Sequence, residues 1–295
     1  MAFQLEQRPI AKQLRRLVRK ELDAAIDGLA VGDASDIRIH DARRHIKKAR
    51  AIVKLLRGPL GKSYARQNER LRAAGRRLSG LRDAEVMLQT LEDLHARFVT
   101  VITPTIEKGI ARVLRHHRRE AQKQAHVRAR QAVGLLKRSR ATLPGRVEHA
   151  TGFRVVRRGL TRVYERSKSA LADLTPVSGA AELHAWRRRV KEHWYHVRLF
   201  ESRQPAAQAR ARSLKVLQSS LGEDHNLALL GERLLDHSER FGGLETSALV
   251  LGCIHQRQRI LRRRALASGR QLFASKPEKI EAIVKRWRRA ARPCL

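Results

Sequence analysis

Apolar residues recur every three or four positions along nearly the whole chain, the spacing of amphipathic helices. Ile10, Leu14, Leu17, Val18, Leu22, Ala25, Ile26 and Leu29 trace one face of a first helix, with Pro9 in its opening turn. Ser35 or Asp36 can cap a second helix, which Gly58-Pro59 stops near Arg57. The same spacing predicts a third helix over 62–79 and a fourth from Asp83 to Phe98. A long fifth runs from Pro104 to Arg140 and is closed by Pro144-Gly145. A comparable series follows over 150–172, 181–202, 206–220, 224–241 and 245–272, with a short helix at 277–291. No segment alternates at period two for long enough to be a strand, so the predicted fold class is all-α.

The second series echoes the first. I-H-D-A-R-R-H-I-K at 39–47 stands beside L-H-A-W-R-R-R-V-K at 183–191, an offset of 144 that aligns His40 with His184, Arg43 with Arg187 and Lys47 with Lys191. Val53-Lys54-Leu55-Leu56 matches Val197-Arg198-Leu199-Phe200 in the same register, and Leu78–Asp83 matches Leu221–Asn226 one residue off it. An internal duplication joined near Pro144-Gly145 is expected, giving helical repeats at 1–144 and 145–295 within one domain. The expected architecture is two antiparallel four-helix bundles related by a pseudo-twofold axis.

Charge sharpens this picture. The 295 residues carry 64 Lys plus Arg against 28 Asp plus Glu, a net charge of +36, while 42% of residues are hydrophobic. The chain can therefore build a core, yet it opposes its own compaction unless a polyanion neutralises it. At about 100° per residue, His40, Arg43, Lys47, Arg50 and Lys54 fall within roughly 80° on the second helix, opposite Ala42, Ile46, Ala49, Val53 and Leu56. The counterpart helix repeats the stripe with His184, Arg187, Lys191 and Arg198. On the long helix Arg112, His116, Arg119, Lys123, His126, Arg130 and Lys137 share a similar sector. His255, Arg259 and Arg262 share a face further on, and Lys12, Arg16 and Arg19 lie on the first helix. Carboxylates are kept apart from these stripes. Residues 82–107 hold five acids against Arg82 and Arg97, and 221–240 hold five against Arg233 and Arg240. Unrelieved like charges at helical spacing destabilise a helix, so the stripes are expected to face an anionic ligand across a common groove. Arg forks, Lys point charges and His donors all suit phosphate.

Catalytic constellations are weak by comparison. His40-Asp41 suggests a metal-dependent phosphohydrolase, but no His precedes His40 and Ala185 replaces Asp41 in the second copy. Glu223-Asp224-His225 reads more simply as a carboxylate cap at a helix N-terminus than as a metal cluster. His116 and His117 are adjacent and point to different faces. There is no phosphate-binding glycine loop and no H-E-x-x-H. No cofactor and no metal are expected. Duplex nucleic acid is the main alternative partner, since the charge fits it and duplex binding needs no stacking platform; aromatics are only 4% of residues, which disfavours single strands. Two cysteines outside any C-x-x-C pair and an N-terminus without an apolar core point to a cytoplasmic protein that does not insert in membranes.

I-H-D-A-R-R-H-I-K-K-A-R at 39–50, L-H-A-W-R-R-R-V-K at 183–191 and L-S-G-L-R-D-A-E-V at 78–86 resemble the CHAD family, the conserved histidine α-helical domain. Its helix signature is an apolar residue, His, then Arg three positions later and basic residues seven, eight and ten positions after the His. His40, Arg43, Lys47, Lys48 and Arg50 fill it, as do His184, Arg187 and Lys191; Glu192 and Trp194 depart from it. The resemblance implies a pair of helical bundles around a basic central channel. It also implies non-enzymatic binding of inorganic polyphosphate and association with polyphosphate granules. Many members carry a triphosphate tunnel domain with E-x-E-x-K, and no E-x-E occurs here, so a stand-alone CHAD protein is expected.

Overall fold

A computed structural model of the chain describes residues 3–5, 9–30, 35–149, 152–201 and 204–289. Every regular element among the described residues is helical. In chain order these are α1 (Ile10–Ala30), α2 (Asp36–Leu55), α3 (Lys62–Arg77), α4 (Ser79–Arg97), α5 (Pro104–His149), α6 (Phe153–Ala172), α7 (Ala180–Arg198), α8 (Pro205–Asp236), α9 (Gly243–Leu272) and α10 (Pro277–Arg289). A 3₁₀ turn, Ser238–Phe241, joins α8 to α9. The all-α expectation holds. The helix ends expected at 150, 202 and 290–291, and Cys294, fall outside the described residues.

Three element boundaries differ from the sequence pattern, each for a packing reason. Helix α5 does not stop at Pro144-Gly145 but continues to His149. Pro144 removes one i→i−4 hydrogen bond, yet Leu143, Pro144 and Val147 are buried, and the last turns are tied down by Arg15 of α1 donating to Glu148 and by Arg146 donating to Ser63. The segments 206–220 and 224–241 form a single helix, α8, because Leu217, Leu221, Asp224 and Leu227 present one unbroken buried face. The matching stretch of the first half does break, at Leu78, which ends α3 and precedes α4. Helix α4 therefore begins at Ser79 rather than Asp83.

The larger core cluster gathers α1, α2, α3, the second half of α5, α6, α7, the first half of α8 and α10, with Leu14, Ile52, Leu136, Trp186 and Leu214 fully buried. The smaller cluster joins the distal part of α4, the start of α5, the end of α8 and the start of α9 around Leu91, Ile110, Leu230 and Ile254. Both clusters thus draw on both halves of the chain. Helices α2 and α7 touch one another, as do α4 and α8, and α6 also packs on α2. At that last crossing a Cβ on Gly159 would stand 2.2 Å from the Leu55 carbonyl oxygen, so the two backbones approach as closely as they do only because Gly159 has no side chain. His196 spans the α2–α7 contact, its buried Nε2 2.9 Å from the Ala51 carbonyl. No helix among the described residues is long and apolar enough to cross a membrane.

Candidate functional site

Where α2 meets α7 and α4 meets α8, the four helices enclose a cavity of about 590 Å³. His40, Arg43, Arg44, Lys47, Arg50 and Lys54 enter from α2, and His184, Arg187, Arg188, Lys191, Glu192 and Tyr195 from α7. Arg82, Asp83 and Val86 come from α4, with His225, Asn226 and Leu229 from α8. Nine Lys or Arg side chains therefore line it against two carboxylates. The lining is matched from the two halves: His40, Arg43, Arg44, Lys47 and Ala51 have His184, Arg187, Arg188, Lys191 and Tyr195 at an offset of 144, and Arg82, Asp83 and Val86 have His225, Asn226 and Leu229 at 143.

Two hollows adjoin the cavity. One of about 460 Å³ shares Arg187, Lys191 and Asn226 with it and adds Arg97 and Arg257. The other, of about 280 Å³, shares Arg50, Lys54, Arg188 and Glu192 and adds Arg57, Arg166 and Arg189. The second hollow continues the excess of cations, whereas in the first Asp93 and Glu223 offset Arg97 and Arg257.

Several of these side chains are fixed before any ligand arrives. Arg43 Nη1 donates to the Gly75 carbonyl at 3.0 Å, and its other terminal nitrogen lies 3.8 Å from Asp83. Arg50 Nε donates to Asn68 at 2.9 Å. Lys54 Nζ reaches Glu192 at 2.5 Å, an ion pair between the two halves. Burial alone would raise the Glu192 carboxyl, but Lys54 and the cations around it outweigh that and hold it below its usual value. Burial raises Asp83 despite Arg43 and Lys47 nearby. His184 and His225 face each other with their Nδ1 atoms 3.1 Å apart, and burial, then His184, Arg187 and Arg188, push His225 down to about 3.

Lys47 and Lys191 are different. No carboxylate lies within ion-pair distance of either among the described residues. Enclosure by the cavity walls, then Lys191, Arg43 and Arg187, lowers Lys47 to about 7. Enclosure, then Arg187 and Arg43, lowers Lys191 to about 8. Lys47 remains open to solvent at the cavity mouth, so water screens part of this repulsion. Two ammonium groups crowded by neighbouring cations in one basic cavity form a site short of negative charge.

The structure brings together eight of the residues that the sequence nominates: His40, Arg43, Lys47, Arg50, Lys54, His184, Arg187 and Lys191. It does not bring the others to the same place. Arg112, His116, Arg119, Lys123, His126, Arg130 and Lys137 are all exposed and none lines the cavity. The expectation of one common groove is therefore corrected for α5: its cationic face points away from Leu114, Ala125, Ala129, Ala132 and Leu136, which are the residues it buries. Arg198 pairs with Glu201 at 3.1 Å and lies over the Trp194 ring at 4.8 Å, outside the cavity. Arg262 is held by Asp224 at 2.7 Å, while His255 and Arg259 are exposed on α9. Arg19 is exposed and 3.9 Å from Asp23. Lys48, part of the signature, turns from the cavity to the buried Glu21 at 3.3 Å.

Glu223 and Asp224 are a further correction. They sit in the middle of α8, not at a helix N-terminus, and pair with Arg257 and Arg262 at 2.6 and 2.7 Å. Sequence reasoning missed Arg44, Arg82, Asp83, Arg188 and His225 as cavity residues. The signal for Arg82, Asp83 and His225 was their place in the repeated Leu78–Asp83 and Leu221–Asn226 segments. Among the described residues no group of three or more His, Cys, Asp or Glu side chains is arranged to hold a metal ion.

A sequence profile of the CHAD domain matches residues 7–235. The chain belongs to the CHAD family. Its CHAD fold is similar to the crystal structure of the CHAD domain from the plant Ricinus communis, with a TM-score of 0.69 and 16% identity over 94% of this chain and 96% of that one. It is also similar to PptA from Streptomyces chartreusis, with a TM-score of 0.59 and 16% identity over 91% of this chain and 100% of that one. No curated protein sequence matches the chain. The cavity helices α2, α4 and α7 lie wholly inside the span of the CHAD profile, whereas α9 and α10 lie beyond it.

Proposed function

We propose that this CHAD protein binds inorganic polyphosphate in the cavity between α2, α4, α7 and α8 and holds it without transforming it. The observation that carries this reading is the pair Lys47 and Lys191, gathered in one cavity with Arg43 and Arg187 and without an ion-pair carboxylate of their own. A linear chain of phosphates supplies the missing charge at short, regular spacing, and the adjoining hollow with Arg57, Arg166 and Arg189 gives it room to extend. Guanidinium forks at Arg43, Arg50 and Arg187 fit phosphate oxygens, and the lysines add point charges. Membership of the CHAD family supports the same ligand. Asp83 lies 3.8 Å from Arg43 and Glu192 pairs with Lys54, so the cavity's own negative charge is already set against these two cations. A cytoplasmic site on polyphosphate granules goes with this reading.

Duplex nucleic acid is the competing ligand, favoured by the net charge of +36. A duplex is too wide for a cavity of about 590 Å³, since even one groove is about 12 Å across. The test is competition at fixed, near-physiological salt, because counterion release makes affinities at different salt incomparable. Polyphosphate should displace duplex DNA at equal phosphate concentration. Displacement of polyphosphate by DNA would overturn the assignment, and release of orthophosphate from polyphosphate by the pure protein would show an enzyme. Arg43→Gln combined with Lys47→Gln should abolish cavity binding while the far-ultraviolet helical spectrum stays unchanged.

A further inference from the structure

The cationic face of α5 is left without a role by the cavity. Helix α5 is 46 residues long, and Arg112, His116, Arg119, Lys123, His126 and Arg130 stand exposed along one side of it. At 1.5 Å per residue this row covers about 27 Å, with its Arg and Lys charges about 6–10.5 Å apart and the two imidazoles between them. Its only ion pair with a carboxylate among the described residues is Lys123 with Glu120, at 2.7 Å. Beside the row, α3 and α5 form an outer hollow of about 590 Å³, to which Arg76, Arg77, Lys123 and Arg128 contribute and no carboxylate does. Glu69 compensates Arg72 and Arg76 at 2.8 Å, at the edge of this region. The result is a second concentration of positive charge on the outside of the bundle, sharing no lining residue with the cavity.

We propose that this outer face of α5 and α3 is a second site for linear polyphosphate, so that one molecule holds two stretches of phosphate chain and can bridge two chains. The inference rests on polyphosphate being the cavity ligand. The geometry favours a flexible single-file anion over a duplex. Helix α5 packs against α1, α3 and α4 through the side opposite the row, so the charges lie along one straight line on the outside of the bundle. On the outside of a duplex, phosphates wind away from a straight row of charges, whereas a flexible chain can follow the row for its whole length. Among the described residues of the row and the hollow there is no Phe, Tyr or Trp on which the bases of a single strand could stack, and Val127 is the exposed apolar residue beside the hollow.

The test compares the wild type with a variant carrying Arg112→Gln, Arg119→Gln, Lys123→Gln and Arg130→Gln, all on exposed positions, and with the cavity variant Lys47→Gln, Lys191→Gln. Probes are tripolyphosphate, long-chain sodium polyphosphate and duplex DNA. Calorimetry gives affinity and stoichiometry, and light scattering reports bridging. The outer variant should keep tripolyphosphate affinity, lose at least tenfold in long-chain affinity, bind fewer phosphate units per molecule and lose scattering. The slope of log affinity against log salt for the long chain should fall by about three, from roughly 0.7–0.9 per lost phosphate contact over four charges. Unchanged long-chain affinity, slope and scattering would overturn the second site. So would a variant that loses DNA binding and keeps long-chain polyphosphate. Retention of tripolyphosphate binding by the cavity variant would instead overturn the cavity assignment, which separates the two failures.

Discussion

Raising the pH from 6 to 9 should weaken polyphosphate binding, with the loss centred on Lys47 and Lys191. The unliganded cavity holds these lysines at about 7 and about 8, against about 10.4 for a free side chain. At pH 8 Lys47 is then about one-tenth protonated and Lys191 about half. A bound phosphate chain restores both charges, so binding at pH 8 takes up a little over one proton per molecule. By linkage the slope of log affinity against pH is minus the protons taken up. Integrated from pH 6 to 9, the two lysines give a ceiling of about three decades. Water reaching Lys47 at the cavity mouth screens the repulsion, which brings the expected loss to about tenfold or more. His225, held near 3, stays neutral throughout and contributes nothing. The assay is calorimetry at constant salt in two buffers of different ionisation heat, using a long chain whose internal phosphates stay ionised over the range. Lys47→Arg should reduce proton uptake at pH 8 while keeping the affinity of pH 6. Affinity and proton uptake that stay flat from pH 6 to 9 would refute the charge-starved cavity.

The unliganded protein should show the opposite trend. Unfolded Lys47 keeps its proton to about 10.4 and folded Lys47 loses it near 7, so the unfolded state binds more protons and stability rises between about pH 7 and 10; a urea midpoint that falls over this range contradicts the argument. Glu192→Gln frees Lys54 for ligand, so polyphosphate affinity should rise and the salt slope steepen by about one, while thermal unfolding shows a loss of about 1–3 kcal/mol from the broken, largely buried pair; lower affinity would mean that Glu192 orients the cavity rather than opposing the ligand. Gly159→Ala puts a Cβ 2.2 Å from the Leu55 carbonyl oxygen and should cost about 1–3 kcal/mol in a denaturant titration without touching a cavity side chain; unchanged stability would show that the α2–α6 crossing relaxes freely.

Much of this molecule can be read from spacing alone. Helical periodicity gives the all-α class, and the I-H-D-A-R-R-H-I-K and L-H-A-W-R-R-R-V-K segments place six nominated cavity residues on α2 and α7, with Arg50 and Lys54 following on α2. The ends of helices are less legible. Pro144 and the Leu221-Gly222 junction look like breaks locally, but the buried faces around Leu143 and Leu221 carry the helices through. Glu192 likewise appears in sequence as an interruption of a basic stripe, and only folding places it against Lys54, 138 residues away.

The two strongest cationic stripes mark the division most clearly. Along α2 and along α5 the charges occupy equally narrow sectors, so periodicity treats them alike. On α2, Ile39 and Ile46 are buried on one flank of the stripe, and Ala51 and Leu55 on the other. On α5 the buried residues gather on the side opposite the charges. A stripe with packed neighbours on both flanks becomes the wall of a cavity, where Lys191, Arg43 and Arg187 crowd Lys47 with like charge even though water reaches it. A stripe opposite the core becomes outer surface, where water and salt screen each charge. The sequence by itself determined which residues carry the charge and on which helices; the packing of α2 against α7 decided which charges face one another, because burial on the second flank is contributed by the partner helix.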